Sequence, residues 1–172
     1  MTKKIVMAVL ASMMMSGVAS AATVTLDAAH KASLLFMYQE EKVARDVYIT
    51  LGKKYPTATT FSSIQLSEQT HMDTVKSLCI KYGVNITGVN DTQTGNFILP
   101  ELQALYNTLV VQGAVSLLEA QKVGVAIEKK DIIDILAAEA GMPGDVVNKF
   151  ENLRAGSYNH LDAFNKAVAA IK

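Results

Sequence analysis

The sequence predicts an all-α protein, a bundle of four long helices with one long crossover between the second and the third. Three observations carry this. Four long stretches repeat apolar residues at steps of three and four, the period of an amphipathic helix. The connections between them run short, long, short. Each stretch also places an acid or an imidazole on its apolar stripe.

The chain of 172 residues opens with Lys3 and Lys4, an apolar run from Ile5 to Met15, and small residues ending Ala19-Ser20-Ala21. That is the pattern of a secretory signal peptide cut after Ala21. The apolar run is shorter than the ~20 residues a membrane span needs. We therefore assign 1–21 to the signal and 22–172 to one helical domain, periplasmic or secreted, with no membrane span after cleavage. The mature 151 residues suit a single core. Without Lys3 and Lys4 the net charge is −2, which excludes the basic surface of a nucleic-acid partner. Cys79 is alone, so it makes no internal disulfide, and its place one turn beyond Val75 marks a buried thiol.

The first helix runs from Asp27 to Lys54, with Leu34, Met37, Tyr38, Ala44, Tyr48 and Leu51 in helical register. Asp27 caps its start, and Gly52 and Pro56 mark its end. The second runs from Thr60 to Tyr82, with Gly83 as its C-terminal cap. Residues 83–100 are rich in Gly, Asn and Thr and read as a loop with a short β-hairpin at Asp91–Gly95. Pro100 suits the first position of a short helix. The third long helix covers Ala114 to Ala140. The fourth covers Asp145 to Ile171, with a break offered at Gly156, where Ser157 would cap a fresh start. A long second connection lets the middle pair run parallel, which is ferritin-like bundle connectivity.

The stripes carry the chemistry. Glu41 falls among Leu34, Tyr38, Ala44 and Tyr48. Glu68 and His71 fall among Phe61, Ile64, Val75 and Leu78. Glu128 and, one turn on, Asp131 share a face with Leu117, Gln121 and Ile135. His160 falls among Phe150, Leu153 and Phe164. Glu40, Lys42 and Asp46 read as solvated. Ionised carboxylates are almost never buried unless paired or bound to metal. Three or four of them meeting two imidazoles would repel, and two divalent cations would cancel that charge. A carboxylate–His donor set without thiolate suits Fe or Mn, with Zn also allowed. Any one of these residues alone is more simply a snorkelling acid or a hydrogen-bonded core histidine; the coincidence on four helices makes the case. The rival reading is a metal-free buried polar network.

The blocks "YQEEKVARDVY", "SEQTHM", "VGVAIEKKDIIDIL" and "LRAGSYNHLDAF" resemble an uncharacterised-function family placed in the ferritin-like superfamily. The first two also resemble rubrerythrin and its di-iron carboxylate relatives. Glu41, Ala44, Arg45 and Tyr48 match the spacing of the first ligand helix there, and Glu68 and His71 match its Glu-x-x-His. Glu128 matches the inward Glu of the third helix. His160 matches the second Glu-x-x-His, but Ser157 stands where that motif has Glu. Asp131 is the substitute that remains.

The resemblance implies an exported ferritin-like metal-binding protein, a di-iron or manganese carboxylate oxidoreductase acting on peroxide, dioxygen or ferrous iron. Tyr38 and Tyr48 lie on the inward stripe, either as packing residues or as relays to such a centre. A non-catalytic exported module that binds metal or a protein partner, with residues 83–100 as its contact surface, is the alternative. The sequence permits a homodimer.

Overall fold

The computed structural model describes residues 24–171, and the signal-peptide assignment lies outside them. Five helices follow in order: α1 (Ala28–Lys54), α2 (Thr59–Lys81), α3 (Pro100–Gly113), α4 (Leu117–Ala138) and α5 (Gly144–Ala170). Their ends obey local chemistry. Asp27 Oδ1 accepts the His30 amide at 2.8 Å and caps α1. Ser116 Oγ accepts the Glu119 amide at 3.1 Å and caps α4. Gly83, at φ +63°, closes α2, and behind it the Val84 amide donates to Cys79 O at 2.8 Å. That left-handed stop suits glycine because it has no Cβ.

Two features depart from the sequence reading. No strand forms among the described residues, and Asp91–Gly95 is a turn, not a hairpin. α5 runs unbroken through Gly156. Ser157 does not start a helix; it lies inside α5 with its Oγ 3.1 Å from Leu153 O one turn back. The helix continues through it, so no cap is needed there.

α1 packs on α2, α4 packs on α5, and α1·α4 and α2·α5 contacts close the bundle, while α3 lies against α1 and α4. The core has two apolar halves. One joins Leu34 and Tyr38 of α1 to Val75 and Leu78 of α2, Ile135 of α4 and Phe150 of α5. The other joins Val47 and Leu51 to Phe61, Val123, Leu109 and Phe164. The first half thus collects the N-terminal parts of α1 and α5 with the C-terminal parts of α2 and α4. α2 and α4 therefore run in the same sense, as the long connection between them allows. Tyr48, Phe61 and Phe164 form an aromatic knot with centroids 5.0–6.2 Å apart, and each fully buried Phe contributes roughly 1.5–3 kcal/mol. Gly124 lets α4 approach that knot, since a Cβ there would lie 2.4 Å from the Phe164 ring.

The solvated reading of Glu40, Lys42 and Asp46 is wrong: all three are buried. The crossover covers the outer face of α1 and supplies its polar partners. Lys42 Nζ reaches Asp46 Oδ2 at 2.5 Å and Gln93 O at 2.8 Å, and lies over the Phe97 ring at 4.5 Å. Arg45 donates to Asp46, to Gln69 at 2.6 Å and to Asp91 O at 2.9 Å. Asp46 accepts the Gly95 amide at 2.9 Å, Gln39 accepts the amides of Ile98 and Leu99, and Tyr38 donates to Asp91. Glu40 turns instead toward α4, where Lys130 Nζ meets it at 2.5 Å. Buried charge is tolerated because every member has a partner. Among the described residues no helix is long and apolar enough to cross a membrane.

Candidate metal centre

Between the two apolar halves, α1, α2, α4 and α5 each turn acids or imidazoles inward. Glu41, Glu68, His71, Glu128, Asp131 and His160 are all buried. Glu68 is the hub. Its Oε1 lies 2.7 Å from His160 Nδ1 and its Oε2 lies 3.2 Å from His71 Nδ1. On the outer sides, Glu41 Oε2 stands 3.4 Å from His71 Nδ1 and Glu128 Oε2 stands 3.4 Å from His160 Nδ1. The two rings stack with centroids 5.4 Å apart. Glu68, His71 and His160 offer ligand atoms that all lie within 4.8 Å of one another, a possible metal-binding triad.

The hydrogen bonding within this cluster is incomplete. Both Glu41 oxygens, Glu68 Oε1, Asp131 Oδ1 and both imidazole Nδ1 atoms are buried without a hydrogen bond. These atoms approach one another without the alignment a hydrogen bond requires. Buried polar groups left in that state cost about 1–3 kcal/mol each. Buried carboxylate and imidazole donors this close together fit a cation, and that donor set fits Fe, Mn or Zn. Cys79 adds no thiolate: its Sγ contacts Leu34 O at 3.5 Å, and burial pushes the thiol up to about 12.

The far sides of the cluster are held in place. Tyr48 donates to Glu128 Oε1 at 2.5 Å, and Ser157 donates to Asp131 Oδ2 at 2.6 Å. Ser67 Oγ pairs with His160 Nε2 at 2.9 Å, which orients the ring as outer partners of ligating histidines do. Gly156 makes room for the other ring, since a Cβ there would lie 2.6 Å from His71 Nε2. Of the two tyrosines on the stripe, Tyr48 touches the cluster and Tyr38 is tied to the crossover. Ser67 and the role of Gly156 escape sequence reasoning. A glycine inside a long helix was their visible trace.

Without metal the charges sort themselves. Burial pushes Glu41 up to about 8, with Glu68 adding to it. Burial and the neighbouring Glu68 raise Glu128 to about 7. Asp131 is raised well above its ordinary value by burial and by the charges of Glu41 and Glu68. Burial pushes Glu68 up as well, but the two imidazoles outweigh it and bring its carboxyl down to about 2. The imidazoles rise in turn, against burial: Glu41 and Glu68 hold His71 up to about 11, and Glu128 and Glu68 hold His160 up to about 9. Protons on the outer acids and on the imidazoles thus offset the charge of the cluster.

Fold and cluster together define a helical protein with a buried carboxylate–histidine centre. Residues 30–171 match the family described as "Uncharacterized protein domain (DUF2202)", and the chain belongs to that family. It is 43% identical over 135 residues to the uncharacterized protein MJ0754 of Methanocaldococcus jannaschii, spanning 78% of this chain and 72% of that one. The crystal structure of hypothetical protein MJ0754 superposes with a TM-score of 0.81 at 39% identity, over 87% of this chain and 85% of the other.

Proposed function

We propose that this chain is an exported, ferritin-like protein that holds two divalent ions, iron or manganese, and works as an oxidoreductase on peroxide, dioxygen or ferrous iron. The single observation that carries the reading is the placement of Glu68, one oxygen toward each imidazole. Two ions could be held on either side of Glu68: Glu41 and His71 would hold one, Glu128 and His160 the other, and Asp131 would offer a further oxygen. The parallel sense of α2 and α4 supports the ferritin-like assignment, as does the Glu-x-x-His pair on α2. Export rests on the pattern from Lys3 to Ala21.

Bound iron or manganese would supply one-electron redox chemistry at this centre. The chain's own residues supply the rest. Glu68 and the flanking carboxylates offset the cations' charge. Tyr48 holds one Glu128 oxygen, and Ser67 fixes the orientation of His160. The test is to reconstitute the chain anaerobically with ferrous iron, then mix it with peroxide or dioxygen and follow the ferric absorption band. Oxidation far faster than that of free ferrous ion, lost in Glu68→Ala, supports the reading. Equal rates for the wild type and Glu68→Ala rule out a redox centre.

A further inference from the structure

A cavity of about 130 Å³ lies between α1, α3 and α4. Its walls are Val43, Ala44, Leu105, Leu109 and Ile127, with the buried Glu40 beside them. Asp131 lines it too, and the same residue's carboxylate belongs to the centre. Ala126 and Lys130, both exposed, line its outer end, where Lys130 Nζ is held by Glu40 Oε1 at 2.5 Å. The chamber therefore leads from the surface of α4 to the Asp131 side of the buried carboxylates. Nothing in the fold requires such a space. Interiors pack densely, and voids larger than a water are few.

We infer that this chamber is a binding site for a small, uncharged, apolar molecule, which it delivers to the Asp131 side of the centre. An apolar cavity of about 150 Å³ takes up benzene or xenon; this one has a similar size and a mostly aliphatic lining, with Glu40, Lys130 and Asp131 as its polar members. Hydrated ions and hydrogen peroxide fit the aliphatic stretch of the wall less well, because Val43, Ala44, Leu105, Leu109 and Ile127 offer no side-chain hydrogen bonds to replace those of water; the polar groups are confined to Glu40, Lys130 and Asp131. Among the candidate substrates the chamber selects dioxygen, or a small hydrocarbon, over peroxide. That the guest meets a reactive centre rests on the metal reading above; that the chamber binds apolar guests does not.

The two sources of guest are separated by two probes, xenon under pressure for a gas and benzene for a hydrocarbon. Both are applied to the full chain in chelator, with the melting temperature as readout, since a ligand of the folded state alone raises it saturably. The expected result is a saturable upward shift with xenon, and with benzene as well if the guest is hydrocarbon-sized. Ala126→Phe, at an exposed helix position, fills the outer end and should abolish the shift while binding metal as the wild type does. Leu109→Ala, away from the centre, enlarges the chamber and should increase it. No shift with either probe in wild type and Leu109→Ala overturns the inference, as does a shift that survives Ala126→Phe. Metal content, measured separately, keeps the two readings distinct. Metal without guest binding overturns the chamber alone, and guest binding without metal overturns the metal centre alone.

Discussion

The Ser157 hydroxyl donates to Asp131 Oδ2 at 2.6 Å, and both side chains are buried. Ser157 occupies the position at which a second Glu-x-x-His would carry its acid. A short side chain on α5 leaves space, and a carboxylate from α4 fills it. On the reading proposed above, Asp131 would keep the carboxylate count of the centre at four. Reconstitution should therefore give about two metal ions per chain, the complement of a carboxylate-bridged bundle site. Asp131→Ala should lower the content to about one, read by elemental analysis. A wild-type content of one would mean that Asp131 does not replace the missing acid.

Gly156 faces His71 at a distance that admits no side chain. In an exposed helix interior Ala is favoured over Gly by about 1 kcal/mol. Gly156→Ala should leave the metal-free melting temperature nearly unchanged, because that gain offsets the displacement of the ring. Metal affinity should fall by roughly 10- to 100-fold, the scale of outer-sphere changes at a ligating histidine. A titration showing wild-type affinity would place His71 outside the ligand set.

The helical stripes made much of this legible. The burial of Glu41, Glu68, His71, Glu128, Asp131 and His160 was readable because an acid or imidazole at a core position breaks an otherwise apolar periodicity. α1 misled in one respect. Glu40, Lys42 and Asp46 have the composition of a solvated face, and periodicity along one helix cannot show that residues 83–99 fold back to cover it. The partners that make burial possible there are backbone groups such as Gln93 O and the Gly95 amide. Backbone groups leave no mark on residue type. The Asp91–Gly95 segment likewise has turn chemistry, but its hydrogen bonds go to α1, to Lys76 of α2 and to Gln103 of α3 rather than to a second strand.

That covering predicts where the fold is vulnerable. Asp46 is fully buried and accepts from Lys42, from Arg45 and from the Gly95 amide. Asp46→Ala would leave two buried cations without their anion, a loss of about 3–5 kcal/mol. The midpoint of denaturant unfolding should drop accordingly. Lys42→Met together with Asp46→Leu removes both charges and should recover part of the loss. Equal instability of the single and double variants would show that packing, not charge, is responsible.

The metal-free and metal-bound proteins should respond to pH in opposite directions. Glu41 and Glu128 rise from 4.5 to about 8 and about 7, and Asp131 rises well above 3.8. A raised carboxyl contributes stability that is present below its unfolded value and lost as pH climbs through the folded value. His71 and His160 rise from 6.5 to about 11 and about 9, so their contribution is present below 6.5 and also lost as pH rises. Glu68, lowered from 4.5 to about 2, acts the other way and loses its contribution only as pH falls below its ordinary value. In chelator, the melting temperature should therefore peak in mildly acid solution and fall from about pH 5.5 to pH 8. Metal ligands must be deprotonated, so the stabilisation gained from a fixed concentration of manganous ion should grow over the same interval. Glu41→Gln removes one raised acid without changing its shape. It should flatten the metal-free decline and reduce the gain from metal. A metal-free melting temperature that climbs from pH 5.5 to pH 8 would show that the cluster is not held together by protons. A Glu41→Gln protein with an undiminished gain from metal would remove Glu41 from the centre.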